Sequence, residues 1–230
     1  MKIVRNEKLV SRNAQIGKIT TILSLAVLGG GMYLTFTRPE LGNYALTALL
    51  VGFLLSQVGI YYSNRWGRRP RPDEIIDTAL KGFGDAYHLY HYTTRVSHLL
   101  IGPAGVWVLI PKHQSGTIVY SKNRWRKTGV GIFGAYLNIF AQEGLGRPDI
   151  EIGSEIEAMQ RYFDKKMPDQ EIPTIQAVLI FNHPKVNILV ENAPSPTLLA
   201  KQLKDHLRKE AKTKPISSEM ITTLQKLFEE

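Results

Sequence analysis

Any chemistry in this chain has to be built from lysine, histidine and carboxylates, because its 230 residues include no cysteine. That excludes disulfides, thiolate zinc sites and cysteine nucleophiles, and it fits a cytosol-facing domain. The densest set of candidate groups lies in residues 96–120, VSHLLIGPAGVWVLIPKHQSGTIVY. Lys112 is a cation able to meet a phosphate. His98 and His113 carry side chains able to ligate a metal, although histidines at strand ends are more often structural. Just beyond, Lys122, Arg124, Trp125, Arg126 and Lys127 interleave cations with an aromatic ring, a pattern that can hold single-stranded nucleic acid by charge and stacking. The same residues also suit a solvated turn with Trp125 turned inward. Lys201, Lys204, Arg208, Lys209 and Lys212 share one helix with Asp205 and Glu210 and read as a solvated face.

Patterned segments surround these residues. Acidic residues after Pro72 predict a helix over 74–81, stopped by Gly82 and Gly84. Strands are expected at 87–93, 97–101, 106–110 and 117–120, with turns at Gly102-Pro103-Ala104-Gly105 and Ser115-Gly116. The continuous apolar runs VWVLI and IQAVLIF (175–181) predict strands buried on both faces. A further strand is expected at 186–190, and helices at 150–166, 196–212 and 217–228, the last capped by Ser217 or Ser218. Residues 129–147 are Gly-rich and read as a loop or insertion. The order predicts an α/β (α+β) domain, a mixed sheet flanked by helices, over residues 72–230.

Residues 1–71 have a different character. Residues 19–37 and 41–64 are uncharged and each long enough to cross the roughly 30 Å core of a bilayer as a helix. Only Arg38-Pro39-Glu40 separates them, so the two helices form an antiparallel hairpin. The first run has a basic leader, but no small-x-small cleavage site follows, so it reads as an anchor and not a signal peptide. Of the net charge of +9, residues 1–18 supply +4 and Arg65, Arg68, Arg69 and Arg71 another +4. The basic flanks around a neutral turn predict a two-pass membrane protein with both termini cytoplasmic. The four arginines can also meet anionic lipid headgroups. The high pI therefore reflects the membrane flanks more than affinity for nucleic acid. Gly29-Gly30-Gly31 suggests a close approach of the second helix.

The 96–120 stretch resembles the core of the nuclease-related domain (NERD) family, within the PD-(D/E)XK nuclease-like superfamily. His98, Gly102-Pro103, Gly105-Val106, Lys112, Gly116 and Trp125 match the family pattern in order and spacing, and the resemblance spans about residues 73–210. It implies a restriction-endonuclease-like sheet. It also implies a site in which an Asp, a Glu and a Lys two residues after that Glu support Mg²⁺-dependent phosphodiester cleavage. In this chain the Asp position is Ser97 and the Glu position is Ile110; Lys112 remains, Glu74 matches an acidic residue of the first helix, and Glu151 stands where the family often has Gln. A substitute metal site would have to draw on Glu74, Asp77 or Glu151 with His98 or His113. Lys112 and Glu74 are thus vestigial catalytic candidates, and the balance points away from an enzyme, with no metal ligand assigned and no cofactor. The expected role is a scaffold or binding module on the cytoplasmic membrane face. The alternatives are a divergent nuclease using Mg²⁺, a membrane-tethered nucleic-acid-binding protein, or an accessory subunit whose hairpin docks other membrane proteins.

Overall fold

A computed structural model describes residues 1–129 and 144–228; most of the expected loop at 129–147 lies outside them. The chain forms two compact units. Of the described residues, one comprises 1–6, 72–129 and 144–228, and the other Glu7–Arg71.

In the second unit, α1 (Glu7–Thr37) and α2 (Gly42–Tyr62) are joined by a short 3₁₀ turn over Pro39–Leu41. Both helices are long and apolar enough to cross a membrane. Only 11% and 17% of their most apolar windows are buried, which is unlike the core helix of a soluble protein. Leu25, Phe36, Tyr44 and Leu46 all point their side chains outward. What holds the pair together is a seven-residue repeat of small residues. Gly17, Ser24 and Gly31 are buried on α1, and Ala45, Gly52 and Gly59 on α2. A Cβ at Gly52 would sit 2.7 Å from Leu28 Cγ, and one at Gly59 would sit 3.1 Å from the Thr21 backbone nitrogen. The helices are therefore closer than any larger residue allows, as is usual where packing in lipid relies on shape and not on the hydrophobic effect. The expectation for the glycine triplet needs correction. A Cβ at Gly31 would meet Ala45 and Ala48, whereas one at Gly29 or Gly30 would meet nothing within 4 Å.

The first unit is a mixed α/β fold. Its strands are β1 (Lys2–Arg5), β2 (His88–His91), β3 (His98–Gly102), β4 (Gly105–Lys112), β5 (Gly116–Ser121), β6 (Arg124–Thr128), β7 (Ile175–Phe181), β8 (Val186–Leu189) and β9 (Thr197–Leu199). Its helices are α3 (Pro72–Ala79), α4 (Pro148–Lys166), α5 (Leu203–Thr213) and α6 (Ser218–Lys226). Six strands form one sheet in the order β1-β2-β3-β4-β7-β9, and β6-β5-β8 form a second. The meander β2-β3-β4 is antiparallel, and β4 and β7 are parallel neighbours with α4 between them in sequence. The apolar run of β4 divides between two cores. Val106, Val108 and Ile110 join Leu99, Leu179, Met159 and Phe163 on one face; Trp107 and Leu109 join Leu100, Ile75, Ile76 and Leu207 on the other.

Three strands depart from the sequence expectation, the first being β6, which forms over residues read as a solvated turn and pairs antiparallel with β5. The helix expected over 196–212 begins as β9, which pairs in parallel with β7 before α5 starts at Leu203. More consequentially, Lys2–Arg5, placed by sequence among the membrane flanks, is an edge strand running parallel to β2.

Candidate functional site

Lys112 ends β4 on the strand's Val108–Ile110 side. Its ammonium pairs with the Glu151 carboxylate in the first turn of α4. Pro148 opens that helix, and Asp149 and Glu151 suit its positive end. Arg147 donates to both oxygens of Asp149, at 3.1 and 2.7 Å, and that hydrogen bonding holds the Asp149 carboxyl below its ordinary range. Ile110 is 4% exposed and packed in the apolar cluster of its face. Ser97 immediately precedes β3. The antiparallel register pairs Leu99 with Val108, so the two positions that the resemblance assigns to carboxylates, 97 and 110, come to the same end of the sheet as Lys112. The side chains placed there by the register and by α4 include the Glu151 carboxylate paired with the Lys112 ammonium, the Ser97 hydroxyl and the Ile110 hydrocarbon. Among the described residues no group of three or more histidines or acids is placed to hold a metal ion.

Glu74 is not part of this constellation. It lies on α3, whose Ile75 and Ile76 cover the opposite face of the sheet. His98 and His113 are also separated. The His113 ring meets His183 edge-on at 5.5 Å, and His183 Nδ1 accepts from the Lys185 backbone N–H. In the β5–β6 hairpin, Lys122 and Asn123 occupy left-handed backbone at the turn. Lys122, Arg124 and Arg126 are exposed, but Trp125 is 4% exposed, packs on Tyr120 at 4.7 Å and donates from Nε1 to Thr197 Oγ1 at 3.0 Å. Its ring is therefore spent on the core.

The strongest polar constellation lies on the α3 face of the sheet. The i, i+4 pair Asp73 and Asp77 projects from α3 towards β1 and β2. Arg5 Nε lies 3.0 Å from Asp73 Oδ2, and the other end of the guanidinium pairs with Asp77 Oδ2. Asp77 Oδ1 accepts from His91 Nε2 at 3.0 Å, and His91 Nδ1 is 2.8 Å from His98 Nδ1. Asp73 and His91 are fully buried and His98 nearly so. The register sets Arg5 opposite His91 and His91 opposite His98, so three neighbouring strands contribute one side chain each. Of these five residues only His98 and Asp77 stand out in the sequence. Asp73, four residues before Asp77, was a readable signal; Arg5 gave none.

Elsewhere, burial pushes the His206 imidazole below its ordinary value, against the pull of Glu210, and its ring meets Trp107 edge-on at 5.3 Å.

Comparison of the chain with protein-family models, curated proteins and solved structures finds no match.

Proposed function

We propose that this chain is a membrane-anchored, non-catalytic module of NERD-like fold, held on the cytoplasmic face by its two-helix hairpin. The observation that carries the reading is the surroundings of Lys112. Its ammonium is matched by one carboxylate, and the position where a nuclease would carry its second acid is an isoleucine embedded in the core. Hydrocarbon in that place removes an anionic ligand and raises the cost of holding a cation nearby.

Three further features support it. The order of elements agrees with the resemblance: acidic helix α3, β3 beginning at His98, the Gly102–Gly105 turn, β4 ending at Lys112, α4 after Pro148, then β7 and a Leu/Lys helix. The apolar outward faces of α1 and α2 suit lipid. The chain leaves the sheet at Asn6 and returns to the same unit at Pro72, so a hairpin crossing a bilayer returns both ends to one side. The basic residues next to the hairpin, Lys8, Arg12 and Lys18 before it and Arg65, Arg68, Arg69 and Arg71 after it, support the cytoplasmic side by the positive-inside rule.

The test is a cleavage assay on purified full-length protein with DNA and RNA in Mg²⁺ or Mn²⁺. This reading predicts no cleavage. Cleavage that Lys112→Ala abolishes would restore the nuclease alternative.

A further inference from the structure

We infer that the outward face of the three-stranded sheet β6-β5-β8 docks on anionic phospholipid headgroups. The inference rests on the membrane-anchored reading above and adds a partner to it.

The register decides which side chains share that face. Thr117 pairs with Asn187 on one side and Thr128 on the other, Val119 with Leu189 and Arg126, and Ser121 with Arg124. Directly paired residues point to the same side of a sheet, and neighbours along a strand alternate. Ile118 and Trp125, one step out of phase, are buried in the core, with Tyr120 and Ile188 packed against it. The other set therefore faces away from that core. Arg124, Arg126, Thr128, Asn187 and Leu189 are exposed, Leu189 to 58%. Val119, paired with Leu189, joins neither apolar core.

The charge on this face has one sign. The row of Leu189 and Val119 is continued by Arg126, with Arg124 on the same strand and Lys122 in the turn between β5 and β6. None of the outward side chains is acidic. Asp149 feels the charge of Arg124, but its carboxylate is already bridged by Arg147. Glu191 lies beyond the end of β8. The basic helix α5 differs: its cations are interleaved with Asp205 and Glu210, and Arg208 pairs with Asp205 at 3.2 Å.

Charge complementarity calls for an anion, and the Leu189–Val119 row calls for hydrocarbon next to it. A headgroup layer offers both, because arginines reach phosphates while their stems and the aliphatic row meet the acyl boundary. Single-stranded nucleic acid would use the cations but needs rings to stack on, and the rings of this hairpin, Tyr120 and Trp125, are turned inward. With α1 and α2 anchoring the chain, a face of low intrinsic affinity is engaged at high effective concentration.

The chain has no cysteine, so a single introduced one can be labelled without ambiguity. The experiment places a fluorophore at Asn187→Cys in the full chain, reconstituted in nanodiscs of phosphatidylcholine alone or with phosphatidylglycerol, and reads its quenching by spin-labelled lipid. Quenching should appear only in the anionic discs and fade at about 0.5 M salt. Each arginine near such a surface shifts docking roughly fivefold, so Arg124→Gln with Arg126→Gln should lower the docked-to-undocked ratio roughly thirtyfold. Should that variant misfold, the salt dependence measured with both arginines in place decides the same question. A label at Leu46→Cys on α2 reports the anchor itself. Quenching at Leu46 without quenching at Asn187, or equal quenching of Asn187 in neutral discs, overturns the docking and leaves the anchor standing. No quenching at Leu46 overturns both. Equal quenching of a label at Lys209→Cys on α5 would mean general adhesion and overturns the choice of face. An oligouridylate that shifts the Asn187 label while anionic lipid leaves it unchanged assigns the face to nucleic acid and overturns the lipid proposal.

Discussion

The two faces of the six-stranded sheet handle charge in opposite ways at the same end. On the α4 face, where the resemblance expects a cluster of acids, Lys112 and Glu151 form one partly exposed pair beside the buried Ile110. On the α3 face, where the sequence singled out only Asp77 and His98, five charged or titratable side chains from three strands and a helix interlock, with Asp73, His91 and His98 buried and Arg5 and Asp77 partly exposed. Buried polar groups persist only when each is partnered, and breaking such a set leaves a stranded charge. On the α3 face these polar groups tie the N-terminal strand to α3 and to the middle of the sheet.

The comparison can be broken most forcefully at Asp73. Asp73→Ala leaves Arg5 half-answered in a buried setting and should cost about 3 kcal/mol or more, read from chemical denaturation of the full chain in detergent. A change near zero would mean the cluster is decoration. On the other face, Ile110→Glu should cost about 2–4 kcal/mol at neutral pH, because an ionised carboxylate is forced into hydrocarbon. Burial raises such a carboxyl's pKa above its unfolded value, so the folded state binds the extra proton and the loss should shrink as pH falls. Full tolerance at pH 7 would reveal a pocket ready for an acid. A smaller effect belongs to His206. Its folded pKa is depressed, so the unfolded chain takes up the proton first and stability declines as pH drops through the ordinary histidine value. His206→Leu should remove that decline from the thermal midpoint. The smallest effect is expected from Lys112→Met, within about 1 kcal/mol, since its partner Glu151 is 40% exposed and such pairs contribute little.

Much of this architecture was legible in the sequence because it rests on local periodicity. VWVLI and IQAVLIF announced buried strands, two uncharged runs announced the hairpin, and Ser217-Ser218 announced a cap, which Ser217 provides by accepting from the Met220 N–H. What escaped depends on partners distant in the chain. The segment KIVR is too short and basic to signal a strand, and its register with His88–His91 spans the whole hairpin. Arg5 looked like a membrane-flank charge for the same reason. The heptad of Gly17, Ser24 and Gly31 was present in the sequence but masked by the more conspicuous Gly29-Gly30-Gly31. The fate of Trp125 turned on Thr197 and Tyr120, which no local pattern around KNRWRK discloses.

The central proposal, a nuclease-like frame without a working metal centre, is tested most directly by Mn²⁺ binding. Electron paramagnetic resonance of the full chain in detergent, titrated with Mn²⁺, measures bound ion without requiring a substrate. The account predicts no stoichiometric site whose occupancy depends on Lys112 or Glu151. One Mn²⁺ per chain, lost in Glu151→Ala, would contradict it.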